Sequence, residues 1–163
     1  MIDFEAARVK MVENQIRTTD VTAHSVLQAF LTVQRENFVP AKSKSLAYID
    51  NDVEICPGRF LMEASPLAKL LQLAAITKSD TVLEVGTGSG YISALLSLLA
   101  KSVVSIESDE ALAEQAIANL AGAHNVTVVT GDMEKGVANQ GPYDVIFIAG
   151  SIEDVPVELS AQL

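Results

Sequence analysis

The stretch TVLEVGTGSGY, Thr81 to Tyr91, constrains the fold more than any other part of the chain. An apolar run carrying Glu84 ends in three glycines at every second position, Gly86, Gly88 and Gly90, and a helical pattern follows. A strand that turns through closely spaced glycines into a helix is the opening of a βαβ unit. Glycines at such a turn let the backbone approach a ligand and present N–H groups at a helix N-terminus, which favours an anionic group such as a phosphate or a carboxylate. Three glycines exceed what a tight turn alone is expected to need, so the turn is read as a ligand site.

The pattern repeats to the end of the chain. TVLEVG reads as a strand, SGYISALLSLLA as a helix, SVVSIES as a strand and DEALAEQAIANLAGA as an amphipathic helix; NVTVVTG and YDVIFIAG are two further strands. Val- and Ile-rich strands separated by helices of about a dozen residues predict an α/β fold. The expected architecture is a Rossmann-like, doubly wound, mostly parallel sheet with right-handed crossovers and ligand at the carboxyl ends of the strands. After the fourth strand only SIEDVPVELSAQL remains, so the sheet is expected to be incomplete at its C-terminal edge.

The first half reads differently. FEAARVKMVENQI places Phe4, Ala7, Val9, Met11, Val12 and Ile16 roughly on one helical face, and Thr22 is the expected N-cap of a second helix, AHSVLQAFLTV. Residues 34–59 form a polar region with Pro40, Pro57 and Gly58 as breakers, and Pro66 is placed in the first turn of a third helix. The division expected is a helical N-terminal region with a covering loop, 1–79, and an α/β ligand-binding core, 80–163.

Composition excludes several classes. Eleven Lys+Arg against 21 Asp+Glu give a formal charge of −10, which opposes general nucleic-acid binding. Apolar runs fall far short of the roughly 18–20 residues of a membrane span, and the mixed-charge start, MIDFEAARVK, lacks the apolar core of a signal peptide. One cysteine, Cys56, excludes an internal disulfide, and only His24 and His124 are available as imidazoles, so no metal centre is expected. A cytoplasmic protein without nucleic-acid or membrane partners is the expectation, its oligomeric state unread. Cys56 has no base near it in sequence and is taken as incidental.

Spacing then narrows the ligand. The dinucleotide fingerprint is Gly-x-Gly-x-x-Gly, whereas this chain has Gly-x-Gly-x-Gly with Glu84 two residues ahead. That arrangement resembles the first motif of the class I S-adenosylmethionine-dependent methyltransferases, with Glu84, Gly86, Thr87, Gly88, Ser89 and Gly90 as cofactor-binding candidates. Glu107 stands at the end of the second strand, 21 residues beyond Gly86, where a carboxylate can accept from both ribose hydroxyls. In that superfamily an acid just past the third strand bonds the adenine amino group and an apolar neighbour packs on the ring; Asp132 and Met133 occupy those positions.

Over essentially the whole chain, MVENQIRTTDVT, VQRENFVP, AYIDNDVEI, VLEVGTGSGY, NVTVVTGD, GPYDVIFIAG and VPVELSAQL resemble the protein-L-isoaspartate O-methyltransferase family in order and spacing. The resemblance implies methyl transfer from S-adenosyl-L-methionine to the α-carboxylate of isoaspartyl residues, with damaged proteins or peptides as partners. Two departures stand out. Where the family has Thr-Ile-Ser-x-Pro this chain has MEASP, so Ala64 takes the position of the family serine and Ser65, one residue on, is the candidate catalytic hydroxyl. The family also continues past Leu163. Those departures leave open a same-fold methyltransferase for another carboxylate or small molecule, or a catalytically idle cofactor-binding protein.

Overall fold

Four Val- and Ile-rich runs become the strands of one parallel sheet, in the computed structural model describing residues 1–163. Two short strands come earlier, β1 (Val53–Cys56) and β2 (Arg59–Leu61); the sheet strands are β3 (Thr81–Val85), β4 (Ser102–Glu107), β5 (Val126–Thr130) and β6 (Val145–Ile148). The helices are α1 (Phe4–Met11), α2 (His24–Thr32), α3 (Ala64–Ala74), α4 (Tyr91–Leu99), α5 (Glu110–Asn119) and the single turn α6 (Val157–Ser160). Two compact units result, Met1–Ala75 and Ile76–Leu163.

In the second unit the strand order is β5-β4-β3-β6, all parallel. The chain runs outward from β3 to β4 and β5, then returns to β3's other side, so order reverses at β3. That is where an open α/β sheet makes a ligand crevice at its strand ends. Alternation decides which side chains face which layer. Leu83, Val85 and Ile106 join Val137, Tyr143 and Leu159 in one buried cluster. Glu84, between Leu83 and Val85, is in register with Ser105 of β4 and Phe147 of β6. α5 is capped by Asp109, whose carboxylate accepts from the Leu112 N–H at 3.0 Å.

In the first unit, α1 is capped by Asp3, which accepts from the Ala6 N–H at 3.0 Å. The expected single helix over residues 4–16 is broken: after Met11 the backbone widens into a π turn, Val12–Ile16, then tightens into a 3₁₀ turn, Arg17–Thr19, that ends at left-handed Asp20. Met11, Val12 and Ile16 stay buried across the break, which is why periodicity did not reveal it, whereas Val9, expected on the same face, is exposed. Thr22 does not cap α2, whose N-cap position is Ala23. Gln72 of α3 instead holds the entry to α2, its Oε1 accepting from the Thr22 and Ala23 N–H groups at 2.8 and 2.9 Å. The region 34–59, expected to be irregular, holds 3₁₀ turns and the first strand of the antiparallel β1–β2 hairpin, closed at Pro57-Gly58 with Gly58 at φ +75°. Pro66 does fall in the first turn of α3.

Candidate functional site

The turn from Gly86 to Gly90 is built by backbone geometry before any ligand is considered. All three glycines have positive φ, +95°, +55° and +94°, a region that costs an L side chain strain. This corrects the expectation that three glycines exceed the turn's own needs: the fold uses each of them. Gly86 lies beside the end of β6, where an added Cβ would meet the Ala149 carbonyl oxygen at an ordinary 3.5 Å. The Gly86 N–H donates to the Ile106 carbonyl at 2.9 Å, and the Ala149 N–H donates to the Val85 carbonyl at 2.9 Å, which fixes the turn at the switch point.

Two carboxylates brace this turn, and both are fully buried. Glu107, at the tip of β4, accepts from the Gly88 N–H at 2.8 Å through Oε2 and from the Ser108 and Asp109 N–H groups at 3.0 and 3.1 Å through Oε1. Sequence led to the expectation of an acid displayed at a strand tip; the structure folds it inward against the glycine turn. Glu84 sits beneath the turn among hydroxyls. Its Oε2 accepts from Ser93 of α4 and, at 2.8 Å, from Ser105 of β4, whose hydroxyl lies 2.5 Å from that of Thr87. Burial pushes the Glu84 carboxyl up to about 7, against the pull of the two serine hydrogen bonds and with the added push of the Glu107 charge.

The other candidates fall into place around the turn or away from it. Ser89 is buried, its carbonyl accepts from Asn119 Nδ2 at 2.9 Å, and its hydroxyl has no partner. Asp132 is exposed past β5, accepting from the Glu134 N–H at 3.0 Å and standing 3.5 Å from Lys135 Nζ. Met133 is half-buried against the cluster of Leu83, Val85 and Ile106. Ser65 belongs to the other unit. MEASP, expected to be a loop, is already helical from Ala64, so Ser65 has no slack with which to shift into the place of Ala64. Its hydroxyl donates to Thr19 Oγ1 at 3.1 Å, and Ala64 is buried.

Several residues escaped the sequence reading. Ser93 and Ser105 give Glu84 its hydrogen bonds, and their one signal was a serine set among apolar neighbours in YISALLSLL and SVVSIE. In the first unit, Arg35 is fully buried, donating to the Ala47 carbonyl at 2.7 Å and the Met62 carbonyl at 2.9 Å. Tyr48 Oη accepts from the Arg35 N–H at 3.2 Å and donates to Glu36, which pairs with Arg8 at 3.8 Å. An open cleft of about 340 Å³ against β1 includes Lys42, Leu46, Ile49, Glu54 and Cys56 in its wall. No three or more His, Cys, Asp or Glu side chains are grouped to hold a metal, and no helix is long and apolar enough to cross a membrane.

Comparison with known proteins gives the family and the fold. Residues 6–163 match the profile of the family described as protein-L-isoaspartate(D-aspartate) O-methyltransferase. A protein-L-isoaspartate O-methyltransferase of Koribacter versatilis is 40% identical over 162 residues, covering 98% of this chain and 73% of its own. One from Opitutus terrae is 39% identical, covering 96% of this chain and 68% of its own. Among solved structures, a protein-L-isoaspartate O-methyltransferase superposes with a TM-score of 0.82 at 29% identity, covering 96% of this chain and 52% of that one, so this chain spans about half its length. A Plasmodium falciparum structure described as a putative member, in complex with S-adenosyl-L-homocysteine, has a TM-score of 0.79 at 18% identity, a likeness of fold alone. With its match running from the first helix to the last residue, the chain belongs to the protein-L-isoaspartate(D-aspartate) O-methyltransferase family.

Proposed function

We propose that this chain transfers the methyl group of S-adenosyl-L-methionine to the α-carboxylate of L-isoaspartyl residues in damaged proteins, opening their repair. The observation that carries the reading is the family match over residues 6–163. One structural feature fits the cofactor to the turn: Ser89 Oγ and Glu84 Oε1 are buried polar atoms without a hydrogen-bond partner. Such atoms are rare in a finished fold and mark a place where another group belongs.

The bound cofactor supplies an electrophilic methyl group on a sulfonium sulfur. The backbone of Gly86–Gly90 holds its methionyl end, Glu107 its ribose, and Asp132 with Met133 its adenine. The acceptor carboxylate, with an ordinary pKa near ~4, is already ionised at neutral pH and needs no strong base. What the chain contributes is alignment and the exclusion of water.

Methyl transfer to an isoaspartyl peptide, with the matching normal aspartyl peptide as control, tests the reading. Transfer to the isoaspartyl peptide alone is expected, and equal or absent transfer overturns it. The start of α3 at Ala64 favours one alternative, methyl transfer to a different carboxylate, because the position of the family's hydroxyl is filled by a buried methyl group. Glu107→Ala is expected to weaken binding of S-adenosylmethionine by about 1–3 kcal/mol, the cost of leaving bonded groups unpaired. An unchanged dissociation constant removes Glu107 from the ribose.

A further inference from the structure

The cleft of about 340 Å³ in the first unit runs along β1 and takes none of its wall from β2. Its volume falls within the range of about 300–1,000 Å³ usual for ligand sites. β1 belongs to a sheet of two strands, so one edge pairs with β2 and the other meets no strand. Ile55, within β1 and in the cleft wall, is the residue that the register skips between Glu54 and Cys56. An unpaired edge offers backbone N–H and C=O groups to an incoming extended chain.

Across the cleft stands the 3₁₀ turn Ala41–Leu46, which contributes Lys42 and Leu46, with Ile49 just beyond it. Leu46 and Ile49 are apolar side chains left 48% and 38% exposed. Lys42 is the single cation of the wall, exposed and paired with no acid. The two carboxylates of the opposite wall are engaged by the hairpin itself. Glu54 Oε1 accepts from the Gly58 N–H at 3.2 Å, and Asp52 Oδ1 accepts from the Glu63 N–H at 2.8 Å. Both walls are fixed by one buried guanidinium: Arg35 donates to the carbonyl of Ala47, next to the 3₁₀ turn, and to that of Met62, next to β2. A site braced in this way loses little freedom when a ligand enters.

We propose that this cleft docks an extended segment of the acceptor polypeptide as a third strand on the free edge of β1, with an acidic side chain of the segment paired to Lys42 and an apolar one laid on Leu46 and Ile49. The inference rests on the reading above, that the acceptor is a protein or peptide, and deepens it by giving the chain that flanks the damaged residue a place to bind. Asp52, at one end of β1, is bonded to Glu63, the residue just before Ala64 and Ser65 at the start of α3, so the cleft leads toward that segment. Main-chain pairing binds many sequences alike, which suits damage scattered over many proteins, and Lys42 adds a preference of charge.

The test uses the intact chain and labelled isoaspartyl peptides of about ten residues, long enough to lie along β1, with glutamates or lysines in the flanks. An isoaspartyl peptide of about three residues, too short to span the cleft, serves as control. Anisotropy reads Kd, and methyl transfer reads KM and kcat. Lys42→Glu should raise Kd and KM for the glutamate peptide about fivefold, the worth of one exposed ion pair, lower them for the lysine peptide and leave kcat unchanged. Leu46→Ser, also at an exposed position, should weaken both long peptides alike, and the short peptide should react equally with all three proteins. N-methylation of the flanking amides removes pairing donors without touching the protein, and it should weaken binding to wild type. Equal constants for wild type and Lys42→Glu with both flank charges, or N-methylation without effect, overturn the inference, while transfer to the short peptide keeps the proposed function. A dimer in sedimentation that Leu46→Ser dissolves gives the cleft to a second copy and also overturns it. Binding that depends on Lys42 without transfer to any peptide overturns the proposed function and keeps the docking site.

Discussion

Gly90 is held by neighbours of its own chain as firmly as by any ligand. It is the N-cap of α4 at φ +94°, and a Cβ there would lie 3.0 Å from Leu120 Cδ1, 3.2 Å from Leu120 Cγ and 3.4 Å from Ala116 Cβ. Left-handed strain and overpacking act together, so Gly90→Ala is expected to destabilise the protein by about 1–3 kcal/mol. Urea unfolding checks this; a loss below about 0.5 kcal/mol, the range of neutral surface changes, would contradict it. The contrast with Gly86, whose nearest contact is an ordinary 3.5 Å, separates what the sequence had joined. Sequence could show three side-chain-free positions, because glycine is visible as a letter, but it assigned the surplus to a ligand. It could not show that one position answers to α5 and another to backbone conformation alone. Glu84 and Glu107 were likewise legible as acids at strand positions. Their inward rotation was not, because it rests on Ser93, Ser105 and Gly88, whose letters carry no sign of a partner nine to 21 residues away.

At the scale of elements, legibility followed length and regularity. The four sheet strands were readable because Val and Ile recur between helices with clear stripes, and tertiary burial reinforces that local preference. The β1–β2 hairpin was not readable: β1 has four residues, β2 three, and the register slips between Glu54 and Cys56. Nor did the Pro57-Gly58 pair distinguish a hairpin from any other turn. The closing segment illustrates a motif whose meaning is structural. Gln162, only 6% exposed, accepts from the Val137 N–H at 3.0 Å and donates to the Lys135 and Glu158 carbonyls at 2.8 and 2.7 Å. Its own carbonyl accepts from the Tyr143 N–H at 2.8 Å, and Leu159 enters the core beside it. Gln162→Leu keeps the volume and strands a donor and two acceptors, so a loss of about 2–4 kcal/mol is expected. The denaturant midpoint should fall with an unchanged slope; an unchanged midpoint would mean that water replaces these bonds without cost.

For the whole molecule the question is how buried and exposed carboxylates set the response to pH. Most of the 21 acids are exposed and shape solubility. Two acids of the Ile76–Leu163 unit act in opposite directions. Asp144 accepts at 2.7 Å from the Thr81 N–H and at 2.9 Å from its hydroxyl, which hold its carboxyl below the ordinary range. It therefore supports folding above its unfolded value, and that support is lost as pH falls through its folded value. Glu84 does the reverse. Its folded value near 7 lies above the ordinary 4.5, so between those values the folded chain binds more protons than the unfolded one. Stability falls as pH rises across that window, and the full penalty, on the order of 3 kcal/mol, is in place above it. Without ligand, wild type should therefore unfold at lower denaturant at about pH 8 than at about pH 5, and Glu84→Gln should flatten most of that slope. A wild-type curve parallel to that of Glu84→Gln across the whole window would show that Glu84 is ionised throughout.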